Sequence, residues 1–433
     1  MTNHLADRAL GWAQARVKNS DLDTYPAGLC RRVRLRKTSA DAPLVIGRDT
    51  SGEEPNATSA ALTLRFLAEY ADADPSKVSA CRPLAEEVGN WLLAMQVNSP
   101  DMPRDGGVQT APGLTRCGTM TTAQTGIAWI RAAEVFGIGE YMAAAFKAAS
   151  FCKRMIDPNP AFLAAHGVAA IDTEDAVIID GVDGAGRAEV SATGWSLMAV
   201  YFLTMMRDVS GEEEWMDASV VAARDFMATC VTGHYDYYAT QGDAAGVAAG
   251  WVKTNWTNQS SLNFEDNAWH RQGDAAGGNG TIGTDPQEYG LNALWKSGYD
   301  IATLKAAYER MIGFPAASPT TPFGAGYDSR ICFTGYFRID SPLYDGESKA
   351  FGSYYDSQGA GELLDWKKEH YPAHYNLSLP LVEAILHPAA GALLDENFQT
   401  VWSTDTNGAF ATQGVIPIML AATALCTTGG ELV

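Results

Sequence analysis

Basic residues and paired cysteines are scarce in this sequence. It contains 31 Lys and Arg against 51 Asp and Glu, which gives a formal net charge of −20. A chain this acidic repels a phosphate backbone, which argues against nucleic acid as a partner. The seven cysteines are scattered and none forms a CxxC pair, so neither a zinc site nor a redox site is indicated. The basic run at residues 31–37 is local and predicts a solvated strand or arm.

Long apolar runs are also missing. No stretch of about 18 apolar residues occurs, so no membrane span is predicted. The N-terminus, MTNHLADRALGWAQARV, has no basic start followed by an apolar core, and therefore does not resemble a signal peptide. We expect a cytoplasmic protein. The alternative is a virion or extracellular protein that leaves by a route without a signal, such as release inside a particle or by lysis.

Six segments of the chain share one helical character. Each begins with a small or capping residue and is then apolar around nearly its whole circumference, which is typical of a buried helix. These segments are residues 58–71, 123–137, 191–205, 286–299, 372–386 and 411–425. Between them lies a second series that has a polar face, with apolar residues at three- and four-residue spacing. The second series comprises residues 76–96, 140–155, 212–230, 301–312 and 390–402.

The alternation predicts an all-α fold, an (α/α)6 toroid of six inner and six outer helices. The amphipathic N-terminal helix at residues 4–17 would be the sixth outer helix and would close the ring. One hairpin cannot bury its apolar face alone, so closure stabilises the whole and residues 1–433 form one domain. The alternative is an open α-solenoid, whose repeats are usually shorter and more uniform.

The connectors are unequal in length. Turns from inner to outer helices are short, whereas connectors from outer to inner helices are long, as at residues 97–122, 156–190, 231–285 and 313–371. The long ones must gather where the inner helices begin, which we call the loop face; the opposite side is the turn face. Long loops on a rigid scaffold commonly carry function. Within the loop-rich insertion at about 313–371, residues 330–339 alternate as a small β-hairpin would.

This arrangement resembles the six-hairpin glycosidase superfamily and the toroid polysaccharide lyases. WLLAMQ…DGG (91–107) is similar to the helix and Gly-Gly loop of several toroid enzymes. DNAWHRQGD (266–274) resembles the acid–aromatic–Arg loops of unsaturated glucuronyl hydrolases, although it departs from their Trp-Ala-Arg-Gly pattern. The DDxxD and DxDD motifs of toroid terpene cyclases are missing. The resemblance implies a carbohydrate-active enzyme.

Hydrolysis of a glycosidic bond requires two carboxyl groups across the scissile bond. Asp266 is the first candidate for the acid or base, with Glu265 or Asp175 opposite it. A lyase would instead need a base such as His or Tyr and a cation that neutralises a uronate carboxylate. His270 suits proton transfer and Arg271 suits a two-pronged clamp on that carboxylate.

The same loop has a purely structural interpretation, in which Arg271 pairs with Asp266 or Asp274 and only holds the loop. Aromatic side chains at the predicted mouth would stack on sugar rings, whose apolar face matches an aromatic plane. The further candidates for substrate binding are Trp195, Trp269, Tyr289, His374 and Tyr375. Glu288 also begins an inner helix, where a carboxylate favours the helix dipole without any catalysis.

A second acidic loop spans residues 172–189. Asp172, Glu174 and Asp180 lie among glycines, and hard cations such as calcium want several oxygens from a flexible turn. The spacing is not that of an EF-hand, and a solvated acidic loop is the alternative; no cofactor is required. We therefore predict cleavage of a poly- or oligosaccharide, with glycoside hydrolase favoured over polysaccharide lyase. The alternative is a non-catalytic glycan-binding or structural component, such as part of a virus-like particle or cell surface.

Overall fold

The protein is described from a computed structural model. Its described residues form five long stretches: 57–100, 102–156, 194–232, 281–317 and 363–376. The remaining described residues are short segments: 6–7, 10, 13–14, 34–36, 45–47, 178–179, 181–182, 188–189, 191–192, 256–258, 269–271, 333–334, 336–338, 355–356 and 409–410.

Helices of the two predicted series alternate along the described stretches. The inner helices and the outer helices that follow them are α1 (Ala57–Ala73) and α2 (Val78–Met95), α3 (Thr119–Phe136) and α4 (Gly139–Arg154), α5 (Met198–Ser210) and α6 (Ala218–Thr232), and α7 (Thr284–Lys296) and α8 (Ile301–Ala317). A short helix, α9 (Leu364–His370), follows later.

The inner helices lie next to one another in chain order. α1 contacts α3, α3 contacts α5 and α5 contacts α7, while the outer helices α2, α4 and α6 each contact the inner helix that follows. This is the order expected of a toroid. α3 is buried on most of its surface, including polar positions such as Thr125 and Gln124, as predicted for an inner helix. No helix in the described part of the chain is long and apolar enough to cross a membrane.

An arginine in α3 joins two inner helices near the turn face. Arg131 donates to both carboxylate oxygens of Glu69 in α1, at 2.9 and 3.1 Å, and also bonds Asp72 and Glu134. Burial acts to lower the pKa of Arg131, but the hydrogen bonds and charges of Glu69 and Glu134 outweigh it and raise the pKa above its ordinary value. The bidentate geometry gives this contact direction as well as charge.

Outer helices α4 and α6 are joined through Asp217. Its carboxylate accepts hydrogen bonds from the backbone N–H groups of Ser219 and Val220, at 3.1 and 3.2 Å, as an N-cap does. Lys153 of α4 forms an ion pair with it at 2.7 Å. Burial acts to raise the pKa of Asp217, but hydrogen bonds from Lys153, Ser219 and Val220 lower it from 3.8 to about 2.

Asp217→Ala is expected to cost about 1 kcal/mol at neutral pH, chiefly through loss of the cap. Because the folded pKa is depressed, the contribution of Asp217 is complete above pH 3.8 and is lost as the pH falls through about 2. The difference between wild type and variant, measured by urea unfolding, should therefore shrink between pH 4 and pH 2. Lys153→Met keeps the cap and should cost less, since the Asp217 side chain is 40% exposed and solvent screens the pair. A pH-independent difference would contradict this account.

Short antiparallel sheets precede the inner helices. The strands are β1 (Arg34–Arg36), β2 (Val45–Gly47), β3 (Cys117–Gly118), β4 (Gly181–Val182), β5 (Ala188–Glu189), β6 (Ser191–Ala192), β7 (Trp256–Asn258), β8 (Trp269–Arg271), β9 (Thr281–Gly283), β10 (Phe333–Thr334), β11 (Tyr336–Arg338), β12 (Tyr355–Asp356) and β13 (Ala409–Phe410). The sheet orders are β13-β1-β2, β3-β4-β5, β6-β7-β8, β11-β9 and β10-β12. β3 and β9 run directly into α3 and α7, which places these strands on the loop face.

The strands differ in one respect from the prediction. A small β-hairpin is present, formed by β4 and β5. Residues 330–339, which were expected to form one, supply β10 and β11, and these pair with β12 and β9 instead of with each other. Alternation along a segment indicates strands but does not identify their partners, which here lie about 20 and 55 residues away in the sequence.

The fifth predicted inner helix, residues 372–386, is described only at residues 372–376. This part lies beside the outer helix α8, where Tyr308 Oη and His374 Nδ1 are 3.0 Å apart. Just before it, Tyr371 Oη donates to Glu309 Oε1 at 2.9 Å. Asp365 of α9 forms an ion pair with Lys296, where α7 ends. Contact with the preceding outer helix is expected of an inner helix, so the position of residues 372–386 stays a prediction.

The N-terminal segment contacts the first hairpin, and a later strand pairs with β1. Asp7 Oδ1 accepts hydrogen bonds from Tyr70 of α1 at 2.8 Å and from Lys77 at 2.5 Å, and Ala6, Leu10 and Ala13 are buried in the core. β13, just before the last predicted inner helix, pairs with β1. Closure of the ring by residues 4–17, and a single domain over 1–433, stay predictions, because residues 390–402 and 411–425 lie outside the described part.

Candidate active site on the loop face

The sheet β6-β7-β8 carries part of the predicted catalytic loop to the beginning of α5. Its register aligns Thr257 with both Ser191 and His270, and Trp256 with both Ala192 and Arg271. Neighbouring strands lie about 4.8 Å apart, so β8 runs roughly 10 Å from β6. Trp269, His270 and Arg271 therefore occupy the loop face, as the sequence predicted for this segment.

Trp195 lies just after this sheet. It belongs to a short 3-10 helix, Gly194–Leu197, which leads into α5 and contacts both α7 and α3. Trp195 is partly exposed, whereas the neighbouring Ser196 and Leu197 are fully buried. A half-exposed indole on a segment held between two inner helices is suited to stacking on a sugar ring.

The helix α7 contributes buried polar groups at the same face. Glu288 and Tyr289 are 0% exposed and Asn292 is 1% exposed. They lie in the first turns of the helix, and Glu288 and Asn292, four residues apart, share a face. A buried carboxylate is costly unless it is compensated, which makes such a position a functional candidate. The sequence predicts Glu288 at the beginning of an inner helix, where it could line the site and also favours the helix dipole; its burial is visible only in the fold.

Side chains of the first and third inner helices meet in front of the second. The guanidinium of Arg65 in α1, a residue only 5% exposed, lies 6.0 Å from the ring centre of Tyr201 in α5. Because α3 stands between α1 and α5, these side chains extend past it towards the centre. The axis below the loop face therefore holds a charged and polar layer, not an aliphatic core alone.

Three threonines at the start of α3 fix the surrounding connectors. Thr119 Oγ1 donates to the carbonyl of Ile179 at 2.5 Å, and Thr121 Oγ1 lies 3.1 Å from Thr58 Oγ1 of α1. Thr122 Oγ1 accepts the backbone N–H of Val108 at 3.0 Å. The sequence GTMTTAQTG (118–126) thus joins two connectors and a neighbouring inner helix to one helix end.

Thr122→Val is expected to destabilise the protein by about 1–3 kcal/mol, because the fully buried N–H of Val108 loses its acceptor. Thr125→Val in the same helix is the matched control. Thr125 is equally buried, but its hydroxyl only bonds the carbonyl of Thr121 at 2.8 Å, an oxygen within its own helix. Urea unfolding of both variants measures the difference, and equal losses would show that the connector bond contributes nothing.

The carboxylates of the acidic loop lie outside the described residues. They belong to Asp172, Glu174, Asp175 and Asp180. The segment beside them is anchored: β4 pairs with β3, and Ile179 N donates to the carbonyl of Met155 at 2.9 Å. Within the described part of the chain no group of three or more His, Cys, Asp or Glu side chains is placed to hold a metal. The calcium site therefore remains a prediction.

The remaining candidates fall into three groups. Asp266 and Glu265 lie outside the described residues, a few positions before β8. Tyr289 is buried in α7, which contacts the segment of Trp195. His374 contacts Tyr308 of α8, and Tyr375 beside it is buried; their part in a site stays a prediction.

The described hairpins, with polar groups where the inner helices begin, are those of an (α/α)6 toroid. No protein-family model matches the sequence, and no curated protein matches it either. Solved structures do share the fold. One is an α-amylase from Clostridium perfringens, with a TM-score of 0.57, 8% identity, and coverage of 98% of this chain and 97% of that one.

Two further structures have the same fold. An inactive α-1,6-mannanase variant from Salegentibacter sp., in complex with α-1,6-mannotriose, has a TM-score of 0.53 and 12% identity, covering 98% of this chain and 99% of that one. An unsaturated glucuronyl hydrolase specific for heparin has a TM-score of 0.53 and 11% identity, covering 97% and 95%. The predicted all-α toroid is thus confirmed at the level of the fold.

Proposed function

We propose that the protein is a glycoside hydrolase that cleaves a poly- or oligosaccharide in a cleft across its loop face. The observation that carries this proposal is the placement of β8 and Trp195 together where α5 begins. A partly exposed indole and the segment following the Glu265–Asp266 pair thereby share one small structural unit. The similarity of fold to enzymes that process saccharides supports the same reading.

Asp266 is assigned the role of acid or base, with Glu265 beside it in the chain. Two consecutive acids also occur in the Salegentibacter mannanase, whose inactive variant has two adjacent aspartates replaced by asparagine. Glu288 is an additional candidate for the opposite carboxyl group, since it is fully buried at the beginning of α7. The proton donor of a hydrolase is a carboxyl group opposite the base or nucleophile, and Glu288 is proposed for that role.

A polysaccharide lyase is the second candidate, and it is supported by the presence of His270 and Arg271 in β8, the strand next but one to β6. A base and a cation of these types would remove a proton next to a uronate carboxylate and neutralise the charge that develops. A glycan-binding protein without catalysis is the third candidate. It would use Trp195 and Trp269 as stacking platforms and would need no pair of acids.

One assay distinguishes the three candidate functions. The purified protein is incubated with neutral and uronate polysaccharides while reducing ends and ultraviolet absorbance near about 235 nm are followed; an unsaturated lyase product absorbs there. New reducing ends without absorbance are the expected result. An increase in absorbance would show that the protein is a lyase and not a hydrolase. If neither reducing ends nor absorbance increased while a polysaccharide still bound, the protein would be a glycan-binding protein without catalysis.

A further inference from the structure

One tyrosine on the inner helix α5 is open to solvent although its neighbours in the sequence are not. Of residues 196–206, which begin just before α5 and continue along it, only Tyr201 and Met205 are not buried. These two are four residues apart and therefore share a face of the helix. Met198, on the same face about one turn earlier, is 0% exposed. Solvent therefore reaches this face of α5 at Tyr201.

The exposed face of α5 is directed towards the axis of the ring. On the side of α3, the ring of Phe202 packs so closely on Gly126 that a Cβ there would lie 2.1 Å from it. On the side of α6, Thr204 Oγ1 donates to a methionine sulfur at 3.4 Å, in the turn between the two helices. Tyr201 follows neither direction, since its ring meets the guanidinium of Arg65, which extends past α3 from α1. Tyr201 therefore faces the centre.

The ring and the hydroxyl of Tyr201 have different surroundings. The ring lies 6.0 Å from the guanidinium of Arg65, at the outer limit of a cation–π contact, and Arg65 itself is only 5% exposed. The hydroxyl forms no hydrogen bond within the described residues. A phenol can both donate and accept a hydrogen bond, and where it is open to solvent it does so with water or with a ligand. Tyr201 therefore presents a hydroxyl that a ligand can use.

Trp195 lies on the same continuous segment, nearer to the loop face. It precedes Tyr201 by six residues, which corresponds to roughly 10 Å along the helix axis. Both side chains are partly exposed, whereas residues 196–200 between them are buried. Two partly exposed aromatic residues thus follow one another from the loop face towards the interior of the ring. A saccharide that stacks on Trp195 and extends towards the axis would reach Tyr201.

We propose that Tyr201 is a substrate-binding residue, which donates a hydrogen bond to a hydroxyl group of a sugar unit inside the ring. This inference rests on the proposed function, because it assumes a saccharide at the loop face. A sugar hydroxyl accepts a hydrogen bond from a phenol, and the C–H groups beside it pack against the aromatic ring. The substrate accordingly extends from the loop face towards the axis, with Trp195 and Tyr201 in contact with successive parts of it.

Tyr201→Phe tests the proposal, because it removes only the hydroxyl and keeps the ring. Binding of the full chain to amylose, xylan and polygalacturonate is measured by affinity electrophoresis. Wild type is expected to bind at least one of them, and Tyr201→Phe should bind that polymer about three- to tenfold more weakly, the loss of one neutral hydrogen bond. If the polymer is cut, KM should rise by the same factor while kcat changes by less than about twofold. The thermal unfolding midpoint should not change, because the hydroxyl has no partner within the described residues.

Tyr299→Phe is the matched control. Tyr299 is also partly exposed, and the guanidinium of Arg224 lies 5.6 Å from its ring centre. It belongs to the short turn between α7 and α8, on the turn face, so its hydroxyl should not affect binding. Equal binding by Tyr201→Phe and wild type overturns the proposal. An equal loss in Tyr299→Phe, or failure of wild type to bind any of the three polymers, also overturns it.

Failure of this contact and failure of the hydrolase give different results. A polymer that Tyr201→Phe binds more weakly, but that wild type never cuts, would support the contact and exclude the hydrolase. A polymer that wild type and Tyr201→Phe cut with the same KM would support the hydrolase and exclude the contact.

Discussion

Gly106→Ala is expected to destabilise the protein by about 3 kcal/mol or more, the sum of two costs. Gly106 has φ +78°, a left-handed conformation that costs an alanine about 1 kcal/mol or more. A Cβ built there would also lie 2.2 Å from the carbonyl oxygen of Lys147. That oxygen belongs to the backbone of α4 and cannot turn aside, so the connector itself must move.

Gly113→Ala is the matched control for the first cost. Gly113 lies in the same connector with φ +80°, but a Cβ there would meet nothing within 4 Å. The free energy of unfolding of Gly113→Ala should fall only by the cost of the left-handed conformation, about 1 kcal/mol. The difference between the two variants, taken from urea midpoints at unchanged slope, isolates the clash with α4. Equal losses would mean that the connector can shift at little cost, contrary to its many backbone hydrogen bonds.

This contrast also explains the DGG motif at residues 105–107. Asp105 caps the turn through Ser99 N, Gly106 passes against α4, and a Cβ on Gly107 would meet the side chains of Cys117 and Phe151 at 2.8 Å. The motif is therefore a packing requirement of the connector between α2 and α3. Its similarity to other toroid enzymes concerns the route of the chain onto the loop face and does not by itself indicate chemistry.

The helices themselves were largely predictable. Residues 58–71 and 286–299 were read as inner helices, and the structure has Ala57–Ala73 and Thr284–Lys296 there. Apolar periodicity is a local signal, and helices follow it. The prediction at 191–205 was right only from Met198 onwards. Residues 191 and 192 form a strand because β7, more than 60 residues later, supplies their hydrogen-bond partners.

The site was predictable only in part, because its contacts are remote in sequence. The pattern predicts Trp195 and residues 269–271 on the loop face. The pairing of β6, β7 and β8 explains how residues 269–271 come close to the beginning of α5. No local signal could show that Glu288 is buried or that Arg65 extends over Tyr201. Nor could a local signal show that His374 contacts Tyr308 of the outer helix α8, which lies 66 residues earlier in the sequence.

Asp266→Asn is expected to lower kcat by about a hundredfold to ten-thousandfold, with KM changed much less. The reason is that a carboxyl group acting as acid or base stabilises the transition state and contributes about 10²- to 10⁴-fold, while an amide of the same size still fills its place in the ground state. Reducing-end assays on the best polysaccharide from the panel give kcat and KM for both proteins, and thermal unfolding verifies that the variant is folded.

Glu265→Gln is the matched control, because it makes the same chemical change one residue earlier. Adjacent residues in an extended loop point to opposite sides, so only one of the pair is expected to reach the scissile bond. Glu265→Gln should therefore retain activity within about tenfold of wild type. A collapse in Glu265→Gln with an active Asp266→Asn would exchange the two roles. Full activity in both variants would show that neither Glu265 nor Asp266 acts in catalysis.

Glu288→Gln completes the assignment through the pH dependence of kcat/KM. A hydrolase with an acid and a base gives a bell-shaped profile, and each essential carboxyl group accounts for one limb. A proton donor must be protonated for activity, so in that role Glu288 would account for the alkaline limb. Loss of that limb in Glu288→Gln, with the acidic limb of Asp266 intact, would place the two carboxyl groups on opposite sides of the bond. If the profile of Glu288→Gln kept both limbs, Glu288 would have no part in the proton transfer and would only belong to the polar layer at the axis.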